Sequence, residues 1–115
     1  MKTCCVIGLG YIGLPTATVI AQSGYRVIGV DINEEVVSTI NNGEIHFIEV
    51  DLELEVSKVI KNGQFSAQGT PVIADVFVIA VPTPFLNESE SIPQPNIDFV
   101  ISAAKSIAKV VKPGD

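Results

Sequence analysis

Val6-Ile7-Gly8-Leu9-Gly10-Tyr11-Ile12-Gly13-Leu14-Pro15, answered 18 positions past Gly13 by Asp31 at the end of Val27-Ile28-Gly29-Val30, decides the fold of this 115-residue chain. Read by residue type, it is a dinucleotide-binding fingerprint. Gly8 lets the chain turn sharply off a strand, Gly10 keeps side-chain atoms away from a pyrophosphate, and Gly13 lets the next helix pack closely on the strand. The phosphates then meet free N–H groups at the positive end of that helix, with no cationic side chain required. A carboxylate at the tip of the following strand, here Asp31, accepts hydrogen bonds from ribose hydroxyls.

Three glycines at this spacing are weak on their own, and the flanking sequence supplies the rest. Thr3–Ile7 is an apolar, β-branched run of strand length. Tyr11–Ser23 has helical length, Gly24-Tyr25 breaks it, and Arg26–Val30 is a second apolar run. Pro15 falls in the first helical turn, where no internal N–H bond is lost. The expected fold is therefore α/β, a Rossmann-like doubly wound parallel sheet with strand order 3-2-1-4. A glycine-rich turn with no ligand is the alternative that this strand–turn–helix–strand–acid order argues against.

Apolar residues make up 47 % of the chain and charged ones 17 %, which suits parallel strands covered by helices on both faces. The net charge of −6, with seven Lys and Arg in all, argues against nucleic acid, which needs clustered cations, and against anionic membrane surfaces. The apolar start from Met1 imitates a signal peptide, but glycines at 8, 10 and 13 interrupt it, and no apolar run reaches the roughly 18 residues of a membrane span. A cytoplasmic protein is expected. Cys4 and Cys5 are adjacent in a strand, so they point to opposite faces and cannot bridge each other. With His46 as the single histidine there is no metal-ligand cluster, and His46 reads as an ordinary loop residue.

Beyond Asp31, Asn33 is the expected N-cap of a helix with Glu34 and Glu35 in its first turn and Val36, Val37 and Ile40 on its buried face, stopped by Gly43. Asp51 is the expected N-cap of a second helix burying Leu52, Val56, Val59 and Ile60 and ending at Asn62-Gly63. The acids Glu49, Asp51, Glu53 and Glu55 alternate with apolar residues and read as a solvated face. Phe65–Ala67 is a short strand, and Ala74–Val81 is a strand buried on both faces that ends in Pro82-Thr83-Pro84 on the ligand-binding rim. Leu86–Asn96 is a surface loop, and Ile97–Val111 is a helix with Val100, Ala103, Ala104, Ile107 and Val111 on its apolar stripe.

Taken together, GLGYIGLP, VDIN, NNGEIH, AVPTPF and PNIDFVISAAKSIAKVVKPGD resemble, in order and spacing, the amino-terminal part of the UDP-glucose/GDP-mannose 6-dehydrogenases across essentially the whole chain. The resemblance implies NAD as cofactor and oxidation of a UDP-sugar's C6 alcohol to a carboxylate, using two NAD in succession and a thiol nucleophile. GEIH followed by VPTPF points to UDP-N-acetyl-D-mannosamine as the sugar. Carried over by position, Gly8, Gly10, Tyr11, Ile12 and Gly13 form the pyrophosphate loop, Asp31 is the ribose acceptor and Thr83 a contact beside the nicotinamide half. Val50 departs from the proline that usually follows the residue at Glu49, and the loop from Leu86 to Pro95 is long for the family.

On this reading residues 1–115 are an incomplete NAD-binding domain. The family's Glu-Ser-Thr segment and its catalytic Lys, Asn, Cys and Asp lie beyond it, so no catalytic residue is assigned here and the UDP-sugar is met through the absent part. Cys4 and Cys5, inside the first strand, do not replace that thiol. The unpaired edge of strand Ala74–Val81 leads to the expectation of a homo-oligomer. A non-catalytic nucleotide-sensing module is the competing function, but it gives no reason for the family-like segment after Gly43. A β-hydroxyacid dehydrogenase usually carries Met before the third glycine, where this chain has Ile12.

Overall fold

The computed structural model describes residues 2–86, 92 and 94–115. Four strands, β1 (Thr3–Ile7), β2 (Arg26–Val30), β3 (Phe65–Gln68) and β4 (Val76–Ile79), form one parallel sheet in the order β3-β2-β1-β4. Thr3 is in register with Arg26, Cys4 with Val76 and Val27 with Phe65. The helices are α1 (Gly13–Gln22), α2 (Glu34–Asn41), α3 (Val50–Lys61) and α4 (Asp98–Ile107). This is the Rossmann-like arrangement that the fingerprint implies.

Strand alternation divides the core in two. Cys4 and Val6 point into a cluster with Leu14, Ala17, Ile40, Val56 and Phe65, so α1, α2 and α3 cover one face. Cys5 and Ile7 point the other way, into a cluster with Ile28, Val30, Ala103 and Ile107, where α4 lies. The adjacent cysteines are thus buried on opposite faces and free. Gly29 leaves room on the first face, since a Cβ there would fall 2.8 Å from both Leu9 and Phe65.

The two edges of the sheet are finished differently. On β3, the Asn41 carboxamide donates to the Ala67 carbonyl and accepts from the Ala67 amide, both at 2.9 Å, as a neighbouring strand would. β4 has no such cover: no side chain among the described residues bonds to its backbone. Its expected extent, Ala74–Val81 buried on both faces, is corrected to Val76–Ile79, with Val76 47 % and Ile79 40 % exposed. A strand paired on one side, with α4 as the helix packed against it, keeps part of its surface in water.

Two further expectations are corrected. The N-cap of α3 is Glu49, in extended conformation, not Asp51, which sits in the first turn where the helix dipole favours an acid. Val50 therefore occupies the first helical position, which proline also favours, so its departure from the family pattern leaves the helix start intact. On α4, Ala103 and Ile107 are buried, whereas Ala104 is exposed and Val111 lies past the helix end, 48 % exposed, so the apolar stripe is narrower than the pattern suggests. Asn33 caps α2 as expected, accepting from the Glu35 amide at 3.0 Å. The Leu86–Asn96 loop falls partly outside the described residues. At its base, Leu86 donates to the Gln94 carbonyl and Asn96 to that of Pro84, and Phe85 bridges Pro95.

Among the described residues no helix is long and apolar enough to cross a membrane, and no group of three or more His, Cys, Asp or Glu is arranged to hold a metal ion.

Candidate functional site

The three fingerprint glycines meet three different constraints. Gly8 has φ +97°, donates to the Val30 carbonyl at 2.8 Å, and a Cβ on it would stand 2.7 Å from the Ala80 carbonyl oxygen. Only glycine fits a turn with that dihedral pressed against another strand's end. A Cβ on Gly13 would fall 1.7 Å from the Gly8 carbonyl oxygen, so the close approach is between helix start and turn rather than along the strand. Gly10 is the opposite case: a Cβ would meet nothing within 4 Å. The space in front of it is open, as a bound phosphate group needs.

α1 begins without help from side chains. Its N-cap, Ile12, makes no side-chain cap bond, and no acid lies in the first turn. The amides of Gly10, Tyr11 and Ile12 donate to no backbone carbonyl among the described residues. Unsatisfied N–H groups at a helix N-terminus carry partial positive charge and suit an anion. Tyr11 and Ile12 are each 72 % exposed, so their side chains leave this terminus open to solvent.

Asp31 lies just past β2, where it can meet both the turn and a ligand. One carboxylate oxygen accepts from the Leu9 amide at 3.1 Å, the other from the Asn33 amide at 3.0 Å. These bonds fix the carboxylate, and the half-buried side chain still has lone pairs for hydroxyl donors.

These groups converge on a cleft of about 730 Å³ across the carboxyl ends of β1, β2 and β4. Gly8, Gly10, Tyr11, Ile12 and Asp31 line it. Gly13 is buried behind them, and Thr83 is exposed one residue beyond Pro82, where the lining ends. Sequence reasoning missed the opposite wall, where Thr70 and Pro71 follow β3 and Phe99, Ser102 and Ser106 come from α4. No local signal marks them, because they reach the cleft only when β3 and α4 take their places in the fold. His46 also lines it and was the one missed residue with a signal, as the single histidine of the chain.

The chemistry of this lining fits a dinucleotide. It combines an uncapped helix terminus for a diphosphate, a held carboxylate for ribose hydroxyls and apolar walls for flat rings. Among the described residues it contains neither Lys nor Arg, and an extra phosphate on the adenosine ribose would face Asp31 with like charge. The thiols are not part of the site. Burial pushes both Cys4 and Cys5 up from the ordinary thiol range, which disfavours the nucleophilic thiolate.

Comparison with known proteins agrees with this geometry. Residues 2–115 match the model of the UDP-glucose/GDP-mannose dehydrogenase family, NAD binding domain. The UDP-N-acetyl-D-mannosamine dehydrogenase of Campylobacter jejuni is 50 % identical over 111 residues, 96 % of this chain and 26 % of that protein. The NDP-N-acetyl-D-galactosaminuronic acid dehydrogenase of Ralstonia nicotianae is 50 % identical over 114 residues, 99 % of this chain and 26 % of that protein. Among solved structures, the UDP-N-acetyl-mannosamine dehydrogenase of Staphylococcus aureus superposes with a TM-score of 0.94 at 38 % identity, covering 99 % of this chain and 27 % of that one. The chain thus spans about a quarter of the length of the relatives it matches.

Proposed function

This chain belongs to the UDP-glucose/GDP-mannose dehydrogenase family, whose NAD binding domain it matches, and we propose that it holds NAD for oxidation of the C6 alcohol of a UDP-sugar to a carboxylate. The observation that carries the reading is the uncapped N-terminus of α1, with open space at Gly10 beside the held carboxylate of Asp31. Held by these residues, NAD would supply the acceptor for the hydride of the alcohol carbon.

In this reading the amides of Gly10, Tyr11 and Ile12 bind the diphosphate, and Gly8 and Gly13 make room for that geometry without touching it. Asp31 orients the adenosine ribose and selects NAD over NADP. Ala80, Val81 and Pro82 shield the nicotinamide half from water, with Thr83 beside it. We assign the UDP-sugar contacts and the catalytic groups to parts of the protein outside residues 1–115, which form its NAD-binding domain. UDP-N-acetyl-D-mannosamine is the proposed substrate, supported by the relatives of that name and by the GEIH and VPTPF segments. A cytoplasmic location accompanies it, in keeping with two unpaired cysteines. Homo-oligomer formation belongs to the same proposal, with the open edge at β4 as its support within residues 1–115.

Two measurements test it. Calorimetric titration should show NAD binding and weaker NADP binding, and equal or tighter NADP binding would overturn the cofactor assignment. Full-length protein should form NADH with UDP-N-acetyl-D-mannosamine, and NAD binding without turnover on any UDP-sugar would favour a nucleotide-sensing module instead.

A further inference from the structure

We infer that Phe47 is a positioning residue of the dinucleotide site, holding the Tyr11 amide toward the diphosphate through a contact between the two rings. The inference rests on the proposed NAD site and deepens it. The winding of α1 begins ahead of its first helical residue: the Leu14 amide donates to the Gly10 carbonyl and the Thr16 amide to that of Ile12, both at 3.1 Å. The Thr16 hydroxyl also donates to the Ile12 carbonyl, at 2.7 Å. Between these two, the Tyr11 carbonyl would meet the amide of residue 15, and Pro15 has none. Pro15 therefore costs a bond here, contrary to the expectation from its place in the first turn. Among the described residues neither the amide nor the carbonyl of Tyr11 makes a hydrogen bond.

What holds Tyr11 is its ring. It lies 4.4 Å from the Phe47 ring between centroids, at an interplanar angle of 36°. Tyr11 is 72 % exposed, so core packing does not fix it. Phe47, on the segment between α2 and α3, is half-buried and packs against the core cluster beneath α1, α2 and α3. The ring pair thus ties the one residue of the turn without a backbone bond to the interior, from a position far away in sequence. Phe47 lines a neighbouring groove of about 810 Å³ and not the cleft itself, so it acts through Tyr11 rather than by touching a ligand. A turn already held in its ligand-binding shape binds more tightly, because less order must be gained when the ligand arrives.

NAD affinity of the full-length protein, measured by calorimetric titration on folded variants, tests this. Phe47→Ala should weaken NAD about twofold to tenfold, the worth of an aromatic pair. In a Tyr11→Ala background the same substitution should change nothing further, because the ring it supports is gone. Adding Pro15→Ala to Phe47→Ala should recover most of the loss, since residue 15 then has an amide for the Tyr11 carbonyl. If Phe47→Ala does not fold, Phe47→Leu keeps apolar volume against the core and should show the same pattern with a smaller loss. The inference is overturned if the Phe47 substitution leaves NAD binding unchanged, weakens it equally with and without the Tyr11 ring, or is not relieved by Pro15→Ala. Equal weakening in both backgrounds is what a purely structural role in the core would give. Wild-type protein that binds no NAD would overturn the cleft assignment and this role with it, an outcome distinct from the other three.

Discussion

Asp31 accepts a hydrogen bond from the Leu9 amide at 3.1 Å, across 22 positions of sequence, and so ties the end of β2 to the middle of the glycine turn. The same carboxylate that would select the ribose also shapes the loop that would hold the phosphates. Removing it should therefore act on both. Asp31→Ala is expected to weaken NAD at least about tenfold, since a hydrogen bond to a charged group contributes about 1.5–3 kcal/mol. Asp31→Asn should lose less, because it keeps an acceptor for Leu9. Calorimetry on the two variants checks the order, and equal affinities of the two would show that the acceptor for Leu9 has no part.

Gly10 and Gly13 should separate binding from folding. Gly10→Val adds atoms to open space, so the chain should stay folded by circular dichroism while NAD binding disappears. Gly13→Ala forces a Cβ to 1.7 Å from the Gly8 carbonyl and should lower the thermal midpoint as well as affinity. A stable Gly13→Ala, or a Gly10→Val that binds NAD as the wild type does, contradicts the reading of that position.

Asn41 closes the β3 edge by bonding both backbone groups of Ala67, a buried residue. Asn41→Ala leaves an amide and a carbonyl without partners, which costs about 1–3 kcal/mol each when they are shut away from water. Water reaching the vacated space reduces that cost, so a loss of about 1–3 kcal/mol in all is expected. Denaturant titration should show a lower midpoint at unchanged slope.

Residues 1–115 alone should bind NAD yet form no NADH with UDP-N-acetyl-D-mannosamine, because the proposed sugar contacts and catalytic groups lie outside them and both of their thiols are buried away from the cleft. Measurable turnover would reveal catalytic groups within this stretch. The raised thiols also set a pH dependence. A thiol that ionises in the unfolded chain but not in the fold binds more protons when folded. Stability is then unaffected below the ordinary thiol pKa of about 8.5 and falls as pH rises from there toward the folded value. Cys4→Ala with Cys5→Ala should remove that alkaline loss.

The open side of β4, with Val76 and Ile79 exposed and Phe99 and Ile101 of α4 also 40 % and 41 % exposed, offers a template and an apolar surface to a second chain. Light scattering on the 115-residue chain should show self-association that grows with concentration. A clean monomer at high concentration would defeat the edge argument.

The local chemistry of the fingerprint made the first strands, the order of elements and the position of Asp31 legible in the sequence. A turn with positive φ needs Gly8, an apolar run of five makes a strand, and Asn33 ahead of two acids starts a helix; each is settled within a few residues of chain. The helix start at Glu49, the exposure of Val76 and Ile79, the pairing of Asn41 with Ala67 and the cleft wall from Thr70 and α4 are different in kind. They depend on which elements become neighbours across the sheet, and neighbours distant in sequence leave no periodic trace at either partner. His46 shows the boundary between the two. Its residue type could be read from the chain, but its place beside the glycine turn arises only when Phe47 packs on Tyr11.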